Sequence, residues 1–124
     1  MPLSDAVLSG LLDHYFGKAT LTPPANIYVA LAKADGSEPS GGSYARVSTA
    51  PSDWNMAAAH VIDNAVAVTF PAPTGTWGSI TKVKLFDAAA AGTELGVDDL
   101  PYARDVTAVS PAPVFAAGNI RVLI

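Results

Sequence analysis

The sequence contains no cysteine, which excludes a disulfide framework, a thiolate nucleophile and a cysteine-bound zinc site. Charged residues are also scarce, at 15% of the chain against roughly 25% in an average soluble protein. The few charges are mostly acidic and the net charge is −4, whereas nucleic-acid-binding domains usually carry a basic stripe. We therefore expect no nucleic-acid partner.

Long hydrophobic runs are absent as well. No apolar run approaches the ~20 residues that a bilayer-spanning helix requires, so we expect no membrane partner. The opening segment MPLSDAVLSGLL lacks the basic region and cleavage site of a secretory signal. At 124 residues, half of them hydrophobic and many of these alanine, the chain predicts one domain over residues 1–124 with a thin core of small side chains.

Recognisable catalytic chemistry is missing too. His14 and His60 are far apart in sequence, and no histidine pair has the spacing of a transition-metal site. There is no GxSxG elbow, phosphate loop or dinucleotide fingerprint. We assign no catalytic, cofactor-binding or metal-binding residue, expect no cofactor, and predict that the protein is not an enzyme.

Four acidic residues lie near one another in the sequence: Asp87, Glu94, Asp98 and Asp99. Together with backbone carbonyls they could form a weak calcium site. The alternating spacing of an EF-hand loop is absent, however, so a solvated turn is the favoured interpretation.

One helix is predicted, from Ser4 to Phe16. Its apolar residues recur with helical spacing and form one face: Leu8, Leu11, Leu12, Tyr15 and Phe16. Ser4 is suited to the N-cap and Gly17 to a left-handed C-cap. Because Gly10 lowers helix propensity by ~1 kcal/mol relative to alanine, this helix needs a surface to pack on.

Short β-strands separated by glycine and proline turns follow the helix. The predicted strands are Ile27–Ala32, Tyr44–Thr49, Ala65–Phe70, Ile80–Phe86, a weak Glu94–Val97 and Ile120–Ile124. Asp35–Ser43 is predicted to be an exposed loop, whereas Met56–His60 and Pro101–Thr107 are ambiguous. This pattern indicates a mainly β fold, a small antiparallel β-sandwich over about residues 26–124 with one N-terminal α-helix; a partly closed barrel is the alternative.

Ile80–Phe86 is the firmest of these strands. Simple alternation places Thr81, Val83 and Leu85 on one face and Ile80 on the other. The last strand is expected to pair within its own sheet rather than with a neighbouring subunit, although an edge position would leave it open to such pairing.

The two tryptophans are expected to have different roles. Trp77 precedes a glycine at a strand entrance and is expected to pack in the core. Trp54, in the turn SDWN, is a candidate for stacking on a sugar ring, together with Tyr44 and the Gly/Ser-rich loop before it. This is the basis for an alternative function, a glycan-binding module for host attachment.

Four stretches of the sequence are distinctive in combination, through their order and spacing along the chain: PPANIYVALAKAD (23–35), EPSGGSYARV (38–47), VTFPAPTGTWGSITKVKLFDAA (68–89) and FAAGNIRVLI (115–124). Together they resemble a family of small tailed-bacteriophage virion proteins commonly called phage tail fibre proteins. The chain departs from this pattern at GVDDLPYARDV, and the glycine-rich insert that the family favours after Asp35 is short here. Both departures fall in predicted loops.

The resemblance implies a non-enzymatic virion component, made in the host cytoplasm and built into the particle as a homo-oligomer. Its partners would be other virion proteins of the capsid or the tail. Two roles remain open, capsid decoration or cement protein and tail-fibre-type protein. We expect docking by burial of apolar surface and by edge-strand pairing.

Overall fold

The computed structural model describes residues 1–124 and contains one α-helix, a single 3₁₀ turn and eight short or medium-length strands. The elements are α1 (Asp5–Tyr15), β1 (Ile27–Ala32), β2 (Val47–Thr49), the 3₁₀ turn (Pro51–Asp53), β3 (Val61–Asp63), β4 (Val68–Thr69), β5 (Gly78–Phe86), β6 (Glu94–Val106), β7 (Val114–Phe115) and β8 (Arg121–Leu123).

The strands form one four-stranded sheet in the order β2-β1-β5-β6 and two two-stranded ribbons, β3-β8 and β4-β7. All strand pairs are antiparallel. Strands β2 and β6 are the two edges of the sheet, which therefore does not close into a barrel. The predicted class, a mainly β antiparallel fold with one N-terminal helix, is confirmed.

The core lies between one face of the sheet and the two ribbons. Only 20 of the 124 residues are buried, so the core is thin, as expected. Its centre nevertheless consists of large rather than small side chains, because one aromatic cluster joins the layers. The largest fully buried side chains are Trp77, Phe70, Leu31, Ile80 and Ile120.

A β-bulge changes the pairing of β5 with β6. Ile80 pairs with Arg104 and Lys82 pairs with Asp99, so Thr81 faces the four residues 100–103 of the partner strand. This irregularity turns Ile80 into the core, where it joins the residues of the opposite predicted face. The prediction from simple alternation is therefore wrong at Ile80.

Strand β6 is longer than the sequence indicated. The weak strand Glu94–Val97 and the ambiguous segment Pro101–Thr107 are parts of a single 13-residue strand that ends at Val106. The departure GVDDLPYARDV consequently lies in a bulged strand and not in a loop. Pro101 and the unpaired residues beside it interrupt the alternation of polar and apolar residues, so local sequence patterns do not indicate a continuous strand.

Other differences concern length. Tyr44–Thr49 forms a strand only at Val47–Thr49, and Ala65–Phe70 only at Val68–Thr69. The loop Asp35–Ser43 contains no strand, as predicted. It is not wholly exposed, however, because Pro39 is buried in it. Strands β3 and β7 were not predicted, since each is two or three residues long and depends on a partner distant in sequence.

The last strand, β8, has partners on both sides. It pairs with β3, where Val61 lies opposite Leu123. On the other side the backbone N–H of Leu123 donates to the carbonyl of Met1 at 2.9 Å. Pairing within the fold is therefore confirmed, and β8 offers no free edge for a neighbouring subunit.

Candidate functional site

Helix α1 has both of its predicted caps. The Ser4 hydroxyl accepts a hydrogen bond from the backbone N–H of Val7 at 3.4 Å, and Gly17 has the left-handed φ of +74°. The predicted limits Ser4–Phe16 thus include the two cap residues around Asp5–Tyr15. The sequence signals for the ends of this helix were sufficient because they are local.

The helix lies against the body of the protein incompletely, since none of its residues is buried. Leu8 and Leu11 are half-buried. Leu12, Tyr15 and Phe16 expose 60%, 87% and 71% of their surface. An apolar face at the C-terminal end of α1 is therefore open to solvent. Single exposed apolar residues are common on protein surfaces, whereas contiguous exposed apolar groups are typical of interaction surfaces.

The segment after α1 fixes the direction of the helix. The backbone N–H of Leu21 donates to Nδ1 of His14 at 3.1 Å. A Cβ placed on Gly10 would lie 3.5 Å from Cδ1 of Leu21, so the returning chain passes close to the helix. Pro23 and Pro24 then lead rigidly towards β1. His14 thus has a positioning role within this turn.

An apolar groove of about 420 Å³ lies near the N-terminal end of α1, where Leu3 forms part of its wall. None of the thirteen residues that line it carries a charge: Leu3, Pro23, Pro24, Ala25, Ile27, Pro51, Trp54, Asn55, Met56, Ile62, Leu85, Leu95 and Val122. Met56 is 93% exposed at its rim. No local sequence pattern indicates this groove, because its walls come from many separate segments that only the tertiary fold brings together.

Trp54 forms part of the groove wall rather than projecting from a loop. It is half-buried and packs against the core, and its indole N–H donates to Oγ1 of Thr49 at 2.9 Å. Tyr44, the second aromatic residue of the suggested glycan site, is also half-buried and its hydroxyl donates to Glu38 at 2.8 Å. Tyr44 packs against Phe70 and Trp77, so the two rings do not form an exposed pair on a loop.

Trp77 holds two of the motif segments together. As expected it lies in the core, with 1% of its surface exposed, and its indole N–H donates to the carbonyl of Gly42 at 2.9 Å. The N–H of Thr74 donates to the same carbonyl at 3.0 Å. Gly42 has a φ of +59°, and a Cβ added to it would meet backbone atoms of Gly75 at 3.0 Å. Only glycine allows this approach.

Arg46 joins the same loop to the end of β5. Its guanidinium lies 3.7 Å from the centre of the Phe86 ring, and its Nη1 donates to the carbonyls of Ala88 and Ala91 at 2.7 and 2.8 Å. Its Nε donates to the carboxylate of Glu38 at 3.1 Å. The segments SGGSYAR, PTGTWG and LFDA therefore meet in one structural cluster that stabilises the fold.

Electrostatics in this cluster follow from its burial and hydrogen bonds. Partial burial raises the pKa of Glu38, but hydrogen bonds from Arg46 and Tyr44 outweigh it and leave that pKa below its ordinary value. Burial raises the pKa of the Tyr44 hydroxyl well above its ordinary value, and the carboxylate of Glu38 adds to this effect. At neutral pH, Glu38 is thus ionised and Tyr44 is a hydrogen-bond donor.

The four clustered acidic residues of the sequence bind separate partners. Asp98 lies 3.4 Å from the amino group of Met1, and Asp99 lies 2.6 Å from Nζ of Lys82. Glu94 pairs with Lys84 at 2.8 Å, while Oδ1 of Asp87 accepts the N–H of Thr93 at 2.8 Å. No group of three or more His, Cys, Asp or Glu residues is arranged to hold a metal ion.

A second cavity, of about 640 Å³, lies beside the bulge of β6. Its floor includes Leu100 and Phe115, and its rim carries Asp99, Tyr102 and Arg104. Tyr102 is exposed, so its ring can contact a ligand. The four residues of β6 that lie opposite Thr81 in the bulge, 100–103, all line this cavity.

None of the helical segments has the length and apolar character that a membrane-crossing helix requires. Comparison with curated proteins finds no match. The model of one protein family, described as podophage GP4 fiber I protein gp80, matches residues 2–123. That match covers nearly the whole chain, in agreement with the resemblance seen in the motif segments. The protein therefore belongs to the podophage GP4 fiber I protein gp80 family.

Proposed function

We propose that this protein is a non-enzymatic, fibre-type accessory component of a tailed-phage virion. It is made in the host cytoplasm, associates with itself and docks on other virion proteins. The observation that carries the proposal is the apolar face of α1, left uncovered beside an uncharged apolar groove. Membership of a phage fibre family supports the virion location.

Apolar burial is the mechanism of docking that the structure favours. Tyr15 and Phe16 are large side chains, and fully burying a side chain of this kind stabilises by about 1.5–3 kcal/mol. Both are mostly exposed in the single chain. Edge pairing by β8 is not available, because both of its sides already have partners.

A fibre-type role is favoured over capsid decoration because the matching family is described as a fibre protein. The number of copies per particle separates the two roles, since decoration of a shell requires many copies and a tail appendage few. Quantitative mass spectrometry of purified virions, with the major capsid protein as internal standard, measures this number. We expect a small number of copies per particle.

Two results of that measurement would contradict the proposal in different ways. A copy number comparable to that of the capsid protein would identify a decoration protein. Absence of the protein from purified virions would exclude any role as a virion component.

Glycan binding remains a second candidate function, but at a different place from Trp54. The cavity beside the β6 bulge combines an exposed ring, Tyr102, with the polar side chains of Asp99 and Arg104. Sugars are recognised by this combination of an aromatic face and planar hydrogen-bonding groups. Glycan-array binding that Tyr102→Ala abolishes and Trp54→Phe preserves would support the cavity; absence of any binding would exclude it.

A further inference from the structure

We infer that the apolar groove beside α1 is the seat for the α1 helix of a second copy of this chain, in a reciprocal arrangement. The inference rests on the proposed function and names the surface through which self-association occurs. Each copy would insert Leu12, Tyr15 and Phe16 into its neighbour's groove and receive the same residues in its own.

The chemistry of the two surfaces matches. The groove has no charged lining residue, so an inserted charged group would lose its hydration without gaining a partner. The exposed end of α1 presents one leucine and two aromatic rings; Tyr15 and Phe16 follow Leu12 by three and four residues, so the three side chains share one face of the helix. An apolar helix face in an apolar groove is a common mode of recognition.

The position of the groove favours a second copy over an unrelated partner. Leu3, just before α1, and Pro23 and Pro24, after it, are part of the groove wall. No residue of α1 itself lines the groove, but Leu3 connects the groove to the N-terminal end of the helix, so a helix received there lies near the start of the helix that the same chain donates. Two copies related by a two-fold axis satisfy both contacts at once, because the same patch is used on each subunit.

Interface area also favours the reciprocal arrangement. With aromatic side chains of 150–250 Å², Tyr15 and Phe16 together expose about 300 Å² and would cover a similar area of groove wall. One such contact thus buries roughly 600 Å² from the rings alone, below the ~1,200 Å² of a standard interface, whereas two reach it. Leu12 and contacts between neighbouring helices add to that total.

The direction of the helix is set before association. The hydrogen bond between Leu21 and His14 and the rigid Pro23-Pro24 segment fix its direction. Association would therefore order the turns of α1 without reorienting the helix, and this partial preorganisation strengthens binding.

Solution mass provides the first test. Met56 and Val109 are each 93% exposed, but only Met56 lies at the groove, so Met56→Asp and Val109→Asp form a matched pair. In sedimentation velocity at about 100 μM, well above the micromolar dissociation constants that standard interfaces span, we expect the native chain and Val109→Asp to be dimeric. Met56→Asp and Tyr15→Ser/Phe16→Ser should be folded monomers by circular dichroism.

Cross-linking tests the contact itself, since the chain has no cysteine of its own. Phe16→Cys and Met56→Cys chains carrying tags of different size are mixed and treated with a short bismaleimide. A mixed-tag product is expected from this pair, and much less from Phe16→Cys mixed with Val109→Cys. Equal yields from both mixtures, or a monomeric native chain, would overturn the inference.

Virion incorporation separates this inference from the function on which it rests. A monomeric protein that is present in virions would disprove the helix exchange and leave the virion role intact. If the native chain were monomeric and Tyr15→Ser/Phe16→Ser lost virion incorporation, the helix would bind a different virion protein and the second copy would be the wrong occupant. A dimer absent from virions would disprove the virion role alone.

Discussion

Individual side chains of the motif segments and of the residues beside them act mainly on folding. Trp77 and Arg46 each reach backbone carbonyls more than thirty residues away in sequence, so each closes a long loop of chain. Thr49 and Thr81 show the contrast between a satisfied and an unsatisfied buried hydroxyl. These four residues explain more about stability than about binding.

Trp77→Ala should lower the free energy of unfolding by about 3–5 kcal/mol, because it removes a large buried ring and leaves a cavity. Trp77→Phe should lower it less but still remove the hydrogen bond to Gly42. Urea unfolding followed by circular dichroism measures both changes. A Trp77→Ala variant as stable as the native chain would show that the core assignment is wrong.

Replacing Thr81 by valine should raise stability by about 1 kcal/mol, since its buried hydroxyl has no hydrogen-bond partner. Thr49→Val is the matched control. Its hydroxyl donates to Ile27 and accepts from Trp54, so its loss should cost about 1–3 kcal/mol. Thermal unfolding of the two variants should therefore show shifts of opposite sign; shifts of the same sign would contradict this account.

Glu38 should contribute to the pH dependence of stability. Its pKa is lower in the folded chain than the ordinary value of 4.5. Its contribution is therefore fully present above that value and lost as the pH falls through the folded-state pKa. Urea unfolding should show Glu38→Gln less stable than the native chain at neutral pH, with a smaller difference in acid. A difference independent of pH would count against the ion pair with Arg46.

The strands and the helix differ in how far their backbones are paired and their side chains buried. Strand β5 is paired on both sides, with β1 and β6. Edge strand β6 carries a bulge, a proline and several charged residues, features that discourage pairing with other chains. Helix α1 has no buried residue and, at eleven residues, is marginal without a packing partner.

Hydrogen exchange should reflect this difference between elements. In dilute monomeric protein the amides of α1 should exchange faster than those of β5, because local opening of α1 exposes little apolar surface. On concentration, protection of α1 should increase while that of β5 changes little. Mass spectrometry of peptides across a concentration series tests this; unchanged exchange in α1 would indicate that the helix remains free.

In the molecule as a whole, one apolar surface remains exposed on a chain that has few charged residues. The protein has only 15% charged residues, and its groove has none. Assembly through this surface follows the rules of apolar burial rather than those of ion pairing.

Self-association should therefore depend weakly on salt and should weaken on cooling. Between about 50 mM and about 500 mM NaCl we expect less than a threefold change in dissociation constant, since screening acts on charges that this contact lacks. Cooling should raise the dissociation constant, because hydrophobic stabilisation falls at low temperature. Sedimentation equilibrium measures both; a tenfold weakening in salt would indicate charged contacts instead.

Local signals in the sequence determined the ends of α1, the position of β1 and the mainly β character of the chain. Ser4 and Gly17 define their caps by short-range hydrogen bonding and backbone geometry, and Ile27–Ala32 is a continuous apolar run that contains β-branched and aromatic residues. Only the tertiary structure decided that Ile80 turns inward at a bulge and that β6 is a single strand. It alone placed Trp54 in the wall of a groove, because bulges and grooves depend on contacts between segments that lie far apart in the chain.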